Sequence, residues 1–386
     1  MKNLLITMSG GTTSVINATL AGLISEARNS KEIGKIYAGS PGIVGFMSGG
    51  IIDLTNITET ELGILKFSPG SASIGTTRTK IFDTESLDCL SGCFKKHNIG
   101  YFVNIGGNGT IKQTKLIASH IKNIHVAAAP KTVDNDLGDA AFEELWYTPG
   151  FPSCVNYWYH TMKMLDNENR GASTHDKVLI AQTFGRETGF IVGAMRFFDI
   201  ERKLPLILLL PEDHQTPEKI LDKIDNNLNK FDRTLIGICE GYNIKEYNYN
   251  YDLSGQRMYG SSASTAIQQL INLCNNNDFQ ARGHNPTVGQ RQNFNYTLDG
   301  DIDVSYKIGV EIIKNFRKNK THFFQSYSKK CFNIIPLETI TNYSRKMKKE
   351  WIDFGNFDVT NKYIDYLEGF VTPTEAKKRF IFGEIV

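Results

Sequence analysis

Short apolar runs with strand character alternate with helix-like stretches through roughly the first 240 residues, and several of the runs end in a glycine loop. Leu4–Thr7 reads as a strand, followed by Gly10-Gly11 and a helix-like stretch from Val15 to Arg28. Lys35–Gly39 reads as a second strand. A helix around Leu87–His97 leads to a strand at Tyr101-Phe102-Val103, and residues 111–122 read as a helix before the strand Val126-Ala127-Ala128-Ala129. Val178–Phe184, Leu206–Leu210 and Thr234–Cys239 read as strands separated by helices over Thr188–Phe197 and Thr216–Asn229. Thr216 before Pro217 supplies a capping hydroxyl and then a proline in the first turn. Strands separated by helices predict an α/β fold, mainly parallel sheets covered on both faces. In such sheets ligands sit at the carboxyl ends of the strands. Residues 242–300, with Tyr247-Asn248-Tyr249-Asn250-Tyr251 and Asn275-Asn276-Asn277, read instead as loops and connections.

The chain has 386 residues, enough for two domains, and 40% apolar content supports a sizeable core. A formal net charge of +2 argues against broad nucleic-acid binding. No apolar run approaches the roughly 18 residues a spanning helix needs. The opening Met1–Met8 is too short for a secretory signal and reads as the first strand. Six scattered cysteines lack a zinc-binding pattern and read as buried thiols in a reducing, cytoplasmic setting.

Two loops carry most of the chemistry. Gly106-Gly107-Asn108-Gly109-Thr110 follows one strand and offers backbone N–H groups to a phosphate. Lys131-Thr132-Val133-Asp134-Asn135-Asp136 follows the next strand. There Asp134 is the candidate base for a substrate hydroxyl attacking phosphorus, and Lys131 can neutralise the transferring group. Asp136 would orient Asp134 or meet Mg²⁺ through water. Asn108 is the one candidate metal ligand of the glycine loop, which has no carboxylate for that hard cation. Ser9-Gly10-Gly11-Thr12-Thr13-Ser14 would present Gly11 to a donor phosphate, and Arg78, two residues before Lys80, could stabilise its charge. Phe184-Gly185-Arg186 and Arg282 offer phosphate-binding guanidinium groups, and Glu240 a carboxylate for sugar hydroxyls.

Taken together these residues resemble the phosphofructokinase family over essentially the whole chain, and the pyrophosphate-dependent branch most of all. Ser9-Gly10-Gly11 with Val15-Ile16-Asn17-Ala18, Thr148-Pro149-Gly150-Phe151, and the tail through Trp351-Ile352 to Asn356-Phe357-Asp358-Val359-Thr360 carry that likeness. The resemblance implies two similar doubly wound lobes. Residues 1–150 would bind the donor with help from the C-terminal part, 151–310 would bind the sugar phosphate, and 311–386 would form a helical segment packing back on both. It implies phosphorylation of fructose 6-phosphate at its 1-hydroxyl with Mg²⁺, in a homodimer or homotetramer. Gly11, Arg78, Gly107, Asn108, Gly109, Thr110 and Lys131 would serve the donor. Thr132, Asp134, Asp136, Phe184, Gly185, Arg186, Glu240, Phe279 and Arg282 would serve the sugar. Lys177 falls where some members use an arginine from a neighbouring subunit.

Two departures bear on the donor. The pyrophosphate branch carries an aspartate where Gly109 stands, and ATP users carry one where Asn108 stands. A third lies near residue 280, where the family's Gly, His or Tyr, two residues and Arg becomes Asp278-Phe279-Gln280-Ala281-Arg282. Three readings follow: a pyrophosphate-dependent phosphofructokinase, an ATP-dependent one, and a catalytically impaired paralogue acting as a binding or regulatory subunit.

Overall fold

The computed structural model describes residues 1–244, 250–251, 257–259, 265–328, 331–340 and 344–373. The loop reading of Tyr247-Asn248-Tyr249 therefore lies outside the described residues, as does the end of the C-terminal segment, 374–386. Two sheets organise the chain. The larger contains β1 (Lys2–Met8), β2 (Ile33–Gly39), β3 (Ile51–Asp53), β4 (Ile99–Gly106) and β5 (His125–Pro130), joined by β10 (Phe323–Ser328) and β11 (Cys331–Pro336). Its order is β11-β10-β5-β4-β1-β2-β3, and only the two edge strands run antiparallel to their neighbours. The smaller sheet has the order β7-β8-β6-β9, from β6 (Val178–Thr183), β7 (Leu206–Leu209), β8 (Thr234–Cys239) and β9 (Ala281–His284), all parallel. A hairpin, β12 (Ile352–Asp353) and β13 (Asp358–Val359), stands apart.

Helices fill the crossovers. In the first half these are α1 (Ile16–Ala27), α2 (Gly42–Met47), α3 (Glu59–Phe67), α4 (Thr84–Lys96) and α5 (Asn108–His120). The second half has α6 (Phe151–Gly171), α7 (Phe190–Ala194), α8 (Pro217–Phe231), α9 (Ala266–Asn275), α10 (Gly289–Gln292), α11 (Asp299–Arg317) and α12 (Asn361–Glu368). Thr216 caps α8 as its sequence implies, accepting from the Lys219 N–H. The helix expected over Thr188–Phe197 is shorter, α7 followed by a 3-10 turn over Met195–Phe198. None of the described helices is long and apolar enough to cross a membrane.

Strands β6, β7 and β8 of the smaller sheet are buried on both faces, and their two-residue period sorts side chains between two cores. Leu206, Leu208, Leu179 and Leu235 enter the main core, whereas Ile207, Leu209, Val178, Ile180, Ile236 and Ile238 enter a second one against α8 and α9. In the main core α1 and α11 pack backbone to backbone. A Cβ at Gly22 would lie 2.0 Å from the Tyr306 carbonyl oxygen, and one at Gly309 would lie 2.3 Å from that of Thr19.

Three sequence expectations change. Residues 242–300 are not all connection: Thr265 caps α9 by accepting from the Gln268 N–H, and Ile267, Leu270 and Cys274 bury one stripe of that helix. The following residues then supply edge strand β9 and α10. The 311–386 segment is not simply helical either. Beyond Arg317 it contributes β10 and β11, because the larger sheet would otherwise end on β5 with its edge bare. Phe323 and Phe324 pair with Ala127 and Ala128 there and are buried. Not all cysteines are buried thiols: Cys154, Cys239 and Cys274 are, but Cys89 and Cys331 are exposed.

Candidate active site

The strand order of the larger sheet reverses between β1 and β4, and a crevice opens at the carboxyl ends of strands at such a switch point. The loops after β1, β4 and β5 meet there. The loops after β6 and β8, and the turn after β9, close the other side. The result is a cavity of about 520 Å³. Its lining includes Gly11, Arg78, Gly107, Asn108, Gly109, Thr110, Lys131, Thr132, Asp134, Asp136, Phe184, Arg186 and Glu240. Gly185 lies between two of these and bends the loop at φ +122°, a conformation open to glycine.

The donor side is built on close backbone contacts. Gly10 takes φ +83°, and Lys131 threads its ammonium beneath the β1 loop, donating to the carbonyls of Ser9 at 3.0 Å and of Gly11. Burial, with Lys80 and Arg291 nearby, lowers Lys131 to about 7. Lys80 reaches the same loop through Ser9 Oγ and bonds Thr110 Oγ1 at 3.1 Å. Asn108 opens α5 with its Nδ2 donating to Asp136 Oδ2 at 3.1 Å, and its buried Oδ1 has no hydrogen-bond partner among the described residues. No group of three or more His, Cys, Asp and Glu among the described residues could hold a metal. A single amide oxygen is nevertheless consistent with Mg²⁺, which keeps several waters and takes ligands from substrate phosphates.

On the acceptor side the Asp134 N–H donates to Thr132 Oγ1 at 3.2 Å, and Arg186 Nε lies 3.8 Å from Asp134 Oδ2. Arg186 itself is held at φ +53° by the turn after β8. Its N–H donates to Glu240 Oε1 at 3.3 Å, the Cys239 thiol donates to its carbonyl at 3.2 Å, and a Cβ at Gly241 would overlap that carbonyl at 1.7 Å. Three carboxylates share this space, so burial and the Asp134 charge push Asp136 up and push Glu240 up to about 8. Arg78, Lys80, Lys131, Arg186 and Arg291 surround them. A cleft lined this way suits a ligand carrying several negative charges.

Phe279 and Arg282 are placed elsewhere. Phe279 packs against the second core, and Arg282 pairs with Asp176 at 3.0 Å on edge strand β9, opposite Leu179 near the start of β6. Lys177, at the same end of that sheet, pairs with Asp232 at 2.5 Å, away from the cavity. The arginine that does reach the cavity from this region is Arg291, whose guanidinium lies 5.4 Å from the Phe184 ring centre and whose buried Nε has no hydrogen-bond partner among the described residues. A Cβ at Gly11 would come within 2.9 Å of its Nη1, so the bare β1 loop makes room for it. Gln290, beside it, accepts from Trp158 Nε1 at 3.1 Å and from the Phe184 N–H at 2.9 Å, tying α10 to α6 and the β6 loop. In the sequence six residues separate Gly283-His284 from Arg291, and no local pattern marks Arg291 as a cavity residue. Lys80, Arg257, Tyr259, Asn285 and Thr287 also line the cavity without having been assigned to it.

Comparison with known proteins places this geometry. The curated pyrophosphate–fructose 6-phosphate 1-phosphotransferase of Halomonas elongata is 26% identical over 95% of this chain and 90% of its own length. That of Methylococcus capsulatus is 25% identical over 96% and 91%. An ATP-dependent 6-phosphofructokinase of Ligilactobacillus salivarius is 28% identical over 75% of this chain and 82% of its own. Among solved structures, the pyrophosphate-dependent phosphofructokinase of Nitrosospira multiformis superposes with a TM-score of 0.85 at 24% identity, covering 100% of this chain and 96% of that one. The family model described as Phosphofructokinase matches residues 3–292, and the chain belongs to the phosphofructokinase family.

Proposed function

We propose that this chain transfers a phosphoryl group from pyrophosphate to the 1-hydroxyl of fructose 6-phosphate, giving fructose 1,6-bisphosphate and phosphate. The observation that carries the reading is the convergence of Lys131, Thr132, Asp134 and Asp136 with Arg186 and Glu240 in one cation-lined cavity. Relatives named for this reaction over nearly the full chain support it. Asp134 accepts the hydroxyl proton as the sugar oxygen bonds to phosphorus and the bridging P–O bond of the donor breaks. Arg186, beside Asp134, and Lys131, beneath the donor loop, offset the charge that gathers on the transferred group. Glu240, protonated at neutral pH by its raised pKa, can donate to a sugar or phosphate oxygen. Asn108 Oδ1 would hold Mg²⁺, which when bound draws charge from the donor phosphates. The enzyme works as a dimer or tetramer of this chain in the cytoplasm.

One observation favours ATP as donor: Gly109 places no side chain beside the donor loop. A catalytically impaired paralogue is disfavoured because the acceptor loop and Arg186 are all present and face one another. The deciding experiment measures fructose 1,6-bisphosphate formed from fructose 6-phosphate and Mg²⁺ with pyrophosphate or with ATP. Turnover with pyrophosphate is expected. Turnover with ATP alone would reassign the donor, and a folded protein that binds the sugar phosphate without turnover would overturn the enzymatic reading. Gly109→Asp is expected to suppress any ATP use and spare pyrophosphate use.

A further inference from the structure

We infer that Arg345, in the C-terminal part of the chain, is a positioning residue that sets the path of the Asp134-Asn135-Asp136 turn; this rests on the phosphotransferase reading above. Arg345 is 1% exposed and lies behind the turn, on the side away from the cavity. Its Nε donates to the Asn135 carbonyl at 2.9 Å and its Nη2 to Asn135 Oδ1 at 2.7 Å. Nη1 donates to the Leu145 carbonyl, and the Arg345 backbone N–H donates to the Asp136 carbonyl at 2.8 Å. The guanidinium stacks 3.9 Å from the Phe142 ring centre. Gly138 makes the space: a Cβ there would stand 2.9 Å from Nη1.

Asn135 needs such a brace. It is fully buried and adopts φ +55°, a left-handed conformation that side-chain-bearing residues keep only when their surroundings impose it. That single left-handed residue lets its two neighbours, Asp134 and Asp136, both face the cavity while its own amide points inward. The amide is held from two further sides, with Oδ1 accepting from the Thr148 N–H at 3.0 Å and Nδ2 donating to Tyr366 Oη at 2.9 Å. Arg345 alone holds both its carbonyl and its amide oxygen, through two arms of a rigid fork that lysine cannot reproduce. Without the fork the buried Asn135 carbonyl loses its donor, the turn relaxes, and Asp134 swings from the line of the substrate hydroxyl. Binding of the sugar phosphate, which draws on cations of other loops, changes much less.

The test compares wild type with Arg345→Lys and Arg345→Met by steady-state kinetics and by amide hydrogen exchange over residues 132–137. Arg345→Lys is expected to lower kcat at least tenfold with KM for the sugar phosphate within threefold, and to speed exchange at 132–137 while β1 and β4 stay protected. Millimolar guanidinium is expected to restore part of the kcat of Arg345→Met. Wild-type kcat and exchange in a folded Arg345→Lys would overturn the inference, as would a loss carried by KM alone. Should Arg345→Met fail to fold, Arg345→Lys and Tyr366→Phe, which removes one bond from the same amide, carry the test. If wild type turns over with neither donor, the functional reading fails while exchange at 132–137 still decides the role of Arg345.

Discussion

At the scale of single residues, the site sets two carboxylates to different tasks through their surroundings. Asp134 lies beside Arg186 and partly open, whereas Glu240 is buried with Asp134 near it and is raised to about 8. Asp134→Ala is expected to lower kcat by about 10²–10⁴-fold, the usual contribution of a positioned base, with little change in melting temperature. Near-normal turnover in that variant would remove Asp134 from the mechanism. For Glu240 the sign follows from the direction of its shift. Below about pH 8 the group is neutral, and as pH rises through that value it places a negative charge in a cavity that must accept phosphate. KM for the sugar phosphate is therefore expected to rise above pH 8 more steeply in wild type than in Glu240→Gln, where the loss of charge from Lys131, itself lowered to about 7, is what remains, a contrast that initial-rate measurements from pH 6.5 to 9 would show. Asp134 and Lys131 were legible in the sequence because their chemistry sits in one contiguous loop. Arg291 was not, since its distance from Gly283-His284 is set by the turn between β9 and α10, and no local rule fixes that length. Arg345 gave no local signal at all: its target lies 210 residues earlier in the chain.

At the scale of elements, periodicity revealed most strands and helices of the first 240 residues because each buries a regular stripe or face. It was silent on which helices touch. The α1–α11 contact joins segments far apart in sequence, and only the built fold shows that Gly22 and Gly309 are there for closeness and not for a turn. The two kinds of helical glycine should separate in stability measurements. Gly22→Ala places a methyl 2.0 Å from a backbone oxygen and forces the helices apart, so a loss of about 1–3 kcal/mol is expected. Beyond its chain neighbours and its own helix backbone, no described residue comes within 4 Å of a Cβ added at Gly63 in α3. Gly63→Ala is expected to gain roughly 0.5–1 kcal/mol from the lower conformational entropy of the unfolded chain and from better helix propensity. Chemical denaturation of both variants checks the pair, and equal effects of the same sign would contradict the packing argument.

At the scale of the whole molecule, the chain closes its first sheet with β10 and β11, strands from its C-terminal part. The family match ends at residue 292, yet α11, β10 and β11 all lie beyond it. Without them the β5 edge would stand open, and Tyr101 and His125 would lose Phe316, which packs 5.5 and 5.8 Å from their ring centres. The face of α1 that carries Gly22 would be left in water, as would much of the core that Ile308, Ile312 and Ile313 complete. Residue 301 adds a polar reason: Asp301 at the start of α11 accepts from the N–H groups of Gly150 and Ser153, which open α6, so the long helix below the active site has its first turn tied to the same C-terminal element. Relatives align over 95% of the chain, beyond the family match, and residues 3–292 are not expected to fold without the elements that follow. A chain ending at residue 298 is expected to lack a cooperative thermal transition and to bind a hydrophobic dye in its absence. Extension to residue 373 should restore a single transition. Cooperative unfolding of the shorter chain near the full-length melting temperature would show that the first sheet is stable with β5 as its edge, and that the late strands serve something other than closure.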